Sequence, residues 1–99
     1  MPERELPALR QEMTITRAEF LRCLPAAVDS VAFTVAGSDI RYGNSDKGWR
    51  IVLAPLPDLA IGIVRLTRHR VEIWLTGYDA PAARRFLDRF ELYFRRGGG

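Results

Sequence analysis

The chain has one cysteine, one histidine and no long apolar run, and each scarcity argues against a class of protein. With Cys23 alone, no internal disulfide can form, which is typical of proteins in a reducing compartment. No stretch reaches the ~20 apolar residues that cross a bilayer, and charged residues occupy the N-terminus where a signal peptide needs an apolar core. We therefore expect a cytoplasmic protein that is not associated with a membrane.

The residue types that carry catalysis or bind metals are equally scarce. His69 is predicted to lie at a hairpin tip between two arginines, with no cysteine or carboxylate close to it in sequence, so we expect a solvated turn residue. Cys23 falls in a helical pattern beside a proline, where a small, partly buried residue is expected. The glycines form no phosphate-binding loop, and the acidic and amide residues of positions 39–46 match no calcium loop. We expect no cofactor and no bound metal, and the sequence favours a protein that is not an enzyme.

Length and charge limit the remaining possibilities. Ninety-nine residues are typical of one domain, and a net charge of +3 is low for a protein that binds nucleic acid through a strongly basic face. Residues 1–13 contain two prolines and alternating charges, so they are predicted to be a flexible tail. The predicted domain covers residues 14–96, and glycines 97–99 are predicted to form a C-terminal tail.

Two helices are indicated near the ends of the chain. Thr16 and Glu19 have the spacing of a capping box, and an apolar stripe at helical spacing follows. Pro25 predicts a kink or an early end of this first helix. The second helix is predicted to begin after Asp79, a good N-cap residue, and to end at Gly97. Its apolar stripe comprises Ala83, Phe86, Leu87, Phe90, Tyr93 and Phe94.

The central part of the chain is predicted to form strands. Alternating and β-branched residues indicate strands at 31–35, 40–42, 49–54, 60–67 and 71–77. A polar loop at 43–48 predicts one hairpin, and Arg68 with His69 is taken as the two-residue loop of a second. The predicted fold is α+β: an antiparallel sheet of about five strands in meander order, with the N-terminal and C-terminal helices packed on one face.

One apolar surface carries the leading functional hypothesis. With a loop at Arg68 and His69, Ile63 faces Trp74 across the second hairpin, Ile61 lies one pleat further along, and Val52 extends the row. A solvent-facing sheet surface is normally polar, and exposed apolar patches often mark interaction sites. The sequence therefore predicts a protein-interaction module or small accessory subunit that docks through Trp74, Ile63, Ile61 and Val52. The expected partner is a second copy in a homodimer, or another protein.

Two alternatives remain open. Arg85, Arg89 and Arg96 fall on one flank of the last helix with no acidic residue among them and with Leu92 beside them. Together with Arg68 and Arg70 they indicate a possible contact with an anion or a nucleic acid. A pocket for a small ligand between the helices and the sheet is the other alternative.

Overall fold

The computed structural model describes residues 6–29 and 31–98 and has two helices and five strands. In chain order the elements are β1 (Leu9–Thr14), α1 (Arg17–Ala27), β2 (Thr34–Ala36), β3 (Asp39–Gly43), β4 (Gly48–Ile61), β5 (Val64–Thr76) and α2 (Ala80–Gly98). The strands form one antiparallel sheet in the order β1-β5-β4-β3-β2. The prediction of an α+β chain with an antiparallel five-stranded sheet is therefore confirmed.

The predicted meander order is wrong at one edge of the sheet. Strands β2 to β5 follow one another as neighbours, but β1 pairs with β5 and not with β2. Residues 9–13, predicted to belong to a flexible tail, are part of β1. Tertiary contacts hold this strand in place: Leu9 and Met13 pack against the core, and Arg10 forms an ion pair with Glu72 of β5 at 3.1 Å.

The second predicted hairpin is misplaced by six residues. Arg68 and His69 lie inside β5, and the chain turns instead at Gly62 and Ile63, where Ile61 pairs with Val64. Gly62 has a φ of 60° at the first central position of this two-residue turn, as a type II′ hairpin turn requires. A Gly-X pair between two apolar runs, here Gly62-Ile63, favours a two-residue hairpin turn more strongly than Arg68-His69 does.

Strand β4 also continues beyond the predicted strand of residues 49–54, through Pro55 and Pro57. The Leu53 backbone N–H donates to the Ser38 carbonyl, away from β5, so the N of Pro55 points toward the same side two residues later. β3 pairs with β4 only as far as Val52, so within the described residues no strand lies beside Pro55 on that side. The missing N–H of Pro55 therefore leaves no acceptor of a neighbouring strand without its hydrogen bond. Pro57 lies in the register shift between Leu56 and Leu59.

Local helix signals match the structure closely. The Thr16 hydroxyl accepts from the Glu19 N–H at 3.1 Å, and the Glu19 carboxylate accepts from the Thr16 N–H at 3.3 Å, which is a complete capping box. Asp79 accepts from the Ala82 N–H at 2.9 Å at the start of α2. α1 includes Pro25 and ends two residues later, at Ala27. α2 departs from the prediction, because it continues past Gly97 to Gly98, while Gly99 lies outside the described residues.

The core joins alternate residues of the sheet to both helices. Ile51 and Leu53 of β4 and Val71 and Ile73 of β5 are buried, in the period-two pattern of a strand with one covered face. They belong to one hydrophobic cluster with residues of α1 and α2. The helical members that are completely buried or nearly so are Phe20, Leu24, Ala27, Phe90 and Phe94.

Candidate functional site

The far end of the β4–β5 hairpin extends beyond its neighbouring strands. β1 ends opposite Arg68, and β3 ends opposite Val52, so residues 57–67 pair only with each other within the described chain. We call residues 57–67 the hairpin arm. By the rise of a strand, the turn lies roughly 15 Å beyond the last residue of β5 that pairs with β1. The molecule measures 47 × 28 × 23 Å, an elongated shape for a chain of this length.

The hairpin arm exposes large aliphatic side chains. The exposed fractions are 40% for Leu59, 59% for Ile61, 101% for Ile63 and 51% for Val64. Leu59 pairs with Leu66, and Ile61 pairs with Val64. The side chains of Leu59, Ile61, Val64 and Leu66 therefore share one side of the two-stranded ribbon. We call this side the apolar arm face. Ala60 and Arg65 form the intervening pair and therefore point to the other side.

The hairpin arm contains two of the four predicted interface residues, Ile61 and Ile63. The other two lie elsewhere: Trp74 pairs with Arg50, and Val52 pairs with Glu72. Ten residues of β5 separate Trp74 from the partner of Ile61, which is about 33 Å along an extended strand. The continuous apolar row of Ile61, Ile63, Trp74 and Val52 is thus wrong, because it assumed the turn at Arg68 and His69. Leu59, Val64 and Leu66 were missed for the same reason.

Around Trp74 and Val52, the outward side of the sheet is charged. The Arg50 guanidinium lies 5.2 Å from the centroid of the Trp74 ring and donates to Asp39 at 2.9 Å. Arg41 donates to the same carboxylate, also at 2.9 Å. Burial opposes ionisation of Asp39, but the hydrogen bonds and charges of the two arginines outweigh it and lower the pKa of this carboxyl. Such a surface is the polar face expected of an antiparallel sheet with one covered side.

Arg68, His69 and Arg70 are residues of a strand and not of a loop. Arg68 forms an ion pair with Glu12 of β1, and Arg70 lies on the same side of β5, opposite Glu12 in the pairing. His69 faces the other way and is 8% exposed, with Nδ1 2.8 Å from the Ile15 carbonyl oxygen. The prediction of a solvated histidine is wrong because the register places His69 on the covered side of the sheet.

Of the arginines predicted to form one flank of the last helix, Arg89 is engaged in contacts within the protein. Arg89 donates from Nε to the Ala26 carbonyl at 2.9 Å and lies 3.7 Å from the Asp29 carboxylate. Ala26 belongs to the last turn of α1, where backbone carbonyls lack helical partners, so Arg89 joins the end of α1 to α2. Arg85 is exposed on α2, and the side chain of Arg96 lies outside the described residues. Leu92 is exposed, about half of its surface being accessible.

A groove of about 820 Å³ opens between the end of α1, the β3–β4 loop and the first half of α2. Four aromatic side chains form one wall of the groove, and each of them packs against the next. Ring centroids are 5.9 Å apart for Tyr42 and Trp49, 6.1 Å for Trp49 and Phe86, and 5.8 Å for Phe86 and Tyr78. We call these four residues the aromatic wall. The volume of the groove lies within the range of about 300 to 1,000 Å³ that is usual for small-molecule sites.

Charged side chains surround the aromatic wall. The Lys47 ammonium lies 5.1 Å from the centroid of the Tyr78 ring, and Arg85 and Asp88 also line the groove. Neither Lys47 nor Arg85 has a carboxylate within ion-pair distance among residues 6–29 and 31–98. Burial, assisted by the neighbouring phenol of Tyr42, raises the pKa of Tyr78, so its hydroxyl stays protonated and can donate a hydrogen bond.

Two classes of feature are missing from the part of the chain that the structure describes. It contains no group of three or more histidine, cysteine or acidic side chains arranged to hold a metal ion. None of its helices combines the length and apolar character needed to cross a membrane. Comparison with known proteins finds no matching family model, curated protein or solved structure, so function is argued from the geometry of this chain.

Proposed function

We propose that this protein is a non-enzymatic interaction module that pairs with a second copy of itself through the apolar arm face. The observation that carries the proposal is the exposure of Leu59, Ile61 and Val64 on this face, together with the fully exposed Ile63 in the turn at its tip. Full burial of one such side chain contributes about 1.5–3 kcal/mol, so covering several of them gives a substantial driving force. Exposed apolar clusters of this kind mark interaction surfaces more often than isolated apolar residues do.

The two edges of the hairpin arm favour contact through its face. Pro55 and Pro57 deprive β4 of backbone donors near the arm, and proline on an edge strand hinders the addition of another strand. The free edge of β5 is only four residues long, from Val64 to the residue before Arg68. A partner that covers the apolar arm face removes aliphatic side chains from water without needing either edge.

The composition of the apolar arm face suits a second copy. In a two-fold symmetric contact, residues near the axis meet their own counterparts, so a charged side chain there would face an identical charge. Leu59, Ile61, Val64 and Leu66 carry none, and Arg65, which lies between two of them in β5, points to the other side. Arg68, the next residue of β5 on the same side as Leu66, is already ion-paired with Glu12. The face is small compared with a standard interface of ~800 Å² per partner, so we expect a concentration-dependent dimer and not an obligate one.

The test is the solution mass over a concentration series, measured by sedimentation equilibrium or light scattering. The parent protein should pass from monomer to dimer as its concentration rises. A double variant, Ile61→Ser with Ile63→Ser, should stay monomeric and keep the thermal stability of the parent, since neither side chain is buried in the core.

Leu92→Ser is the matched control, because Leu92 is an aliphatic residue of similar exposure on α2. This variant should dimerise as the parent does. The proposal is refuted if the parent remains monomeric at the highest concentration reached. It is equally refuted if the Leu92 variant loses association to the same extent as the double variant. Dimerisation should depend little on salt, whereas association through arginines would weaken as salt rises.

A further inference from the structure

We infer that the groove beside α2 binds a small planar aromatic molecule that carries one anionic group, such as an aromatic carboxylate or sulfonate. This inference is independent of the apolar arm face, because no residue of the hairpin arm lines the groove. It rests on the aromatic wall, on the charges at the rim and on the hydrogen-bond donors between them.

The aromatic wall favours a flat ring. Trp49 is almost completely buried at its base, while Tyr42 is more than one-third exposed at its outer end. A planar ligand can stack on or meet the edges of these rings, an arrangement worth about 0.5–1.5 kcal/mol per aromatic pair beyond the area that it buries. An aliphatic ligand would gain the burial but not this additional term.

The rim favours a negative charge on that ligand. Three cationic side chains line the groove, and one of them, Arg89, is already bound to the end of α1 and to Asp29. Of the remaining charged side chains that line the groove, Lys47 and Arg85 are cationic and Asp88 is anionic. The excess of positive charge among these three is small, which suits a single anionic group and not a polyanion.

Lys47 is placed to bridge the ring and the charge of such a ligand. Its ammonium lies over the Tyr78 ring and is exposed to solvent, so it can accept an anionic partner while keeping that contact. Tyr78, whose ring that ammonium contacts, also lines the groove, and its hydroxyl is a neutral donor. Together they offer an anionic oxygen one charged and one uncharged hydrogen bond.

The experiment uses two probes that share a ring system: 8-anilinonaphthalene-1-sulfonate, which is anionic, and N-phenyl-1-naphthylamine, which is not. The readout is the pair of indole N–H signals in a nitrogen-15 NMR spectrum, assigned with Trp74→Phe. Trp49 lines the groove and Trp74 does not, so the anionic probe should move the Trp49 signal and leave the Trp74 signal in place. The Ile61→Ser, Ile63→Ser protein serves as the host, so that probe bound to the hairpin arm does not contribute.

Charge variants decide whether the rim recognises the anion. Lys47→Gln and Arg85→Gln should each weaken the anionic probe by about fivefold, the effect of losing ~1 kcal/mol, and change the uncharged probe by less than about twofold. Lys47→Arg should restore most of the affinity. Arg84→Gln is the matched control, since Arg84 is an exposed arginine of α2 that does not line the groove.

Three results would overturn the inference: a shift of the Trp74 signal, with or without a shift of the Trp49 signal; equal affinity for the two probes; or equal weakening of both probes by Lys47→Gln and Arg85→Gln. Each of these can occur whether or not the protein dimerises. The failure of the ligand site and the failure of the proposed dimer are therefore separate outcomes.

Discussion

Replacing Phe90 with alanine removes the side chain at the centre of the helix–helix contact. Phe90 is completely buried, and its ring centroid lies 4.5 Å from that of Phe94 and 6.2 Å from that of Phe20. Phe20 and Phe94 stack on each other at 4.6 Å, so the three rings form one cluster that joins α1 to α2. Because two of its neighbours are large rings that cannot collapse fully into the space, we expect a cost of about 3–5 kcal/mol.

That cost is a large part of the ~5–15 kcal/mol by which a native domain is stable. At roughly 4–8 °C per kcal/mol for a chain of this size, the melting temperature of Phe90→Ala should fall by at least about 12 °C. Urea unfolding followed by circular dichroism measures the change in free energy directly. Leu92→Ala is the control on the same helix, and its exposed side chain should matter by no more than about 0.5 kcal/mol. Similar losses in the two variants, or a loss below about 1.5 kcal/mol for Phe90→Ala, would refute this account of the core.

Three further predictions use the same unfolding assay. His69→Leu leaves the Ile15 carbonyl without its buried donor and should cost about 1–3 kcal/mol; a variant as stable as the parent would show that the bond contributes nothing. The pKa of Asp39 is lowered in the folded state, so its stabilisation is present above its ordinary pKa of 3.8 and is lost as the pH falls through the lower folded value. Asp39→Asn should therefore be less stable than the parent at pH 7, by ~1 kcal/mol or less, and the gap should close near pH 2; a constant gap would contradict the assignment. Gly77→Ala should cost more than Gly62→Ala, because both glycines have positive φ but only at Gly77 would the new Cβ lie 2.0 Å from a backbone oxygen across the loop, and equal costs would argue against that clash.

The ends of the helices were predictable because their causes are local. The capping box of Thr16 and Glu19 joins residues three apart, and Asp79 caps a helix whose apolar stripe repeats every three to four residues. The tight loop between Gly43 and Gly48 has the same character, since the Asn44 side chain accepts from the backbone N–H groups of Asp46 and Lys47. Interactions over so few residues are encoded in the sequence order itself.

The candidate sites were harder to predict, because they depend on register. A shift of the turn from Arg68–His69 to Gly62–Ile63 moves His69 to the covered side of the sheet and separates Trp74 from Ile61. The Gly62-Ile63 pair is visible in the sequence, but proline in a strand pattern argues against a strand long enough to reach it. Only the absence of a described neighbouring strand beside Pro55 shows why the missing donor is tolerated.

The sequence by itself therefore determined the α+β class, the antiparallel sheet, the two helices and their caps, since these follow from periodicity and short-range hydrogen bonds. Tertiary structure alone decided that residues 9–14 form an edge strand, because the cross-strand contacts of Arg10 and Glu12 are with β5, more than fifty residues away. It also decided which apolar residues stay exposed and which side chains gather into the groove. Those outcomes depend on where distant segments meet, and no local pattern of residues specifies that.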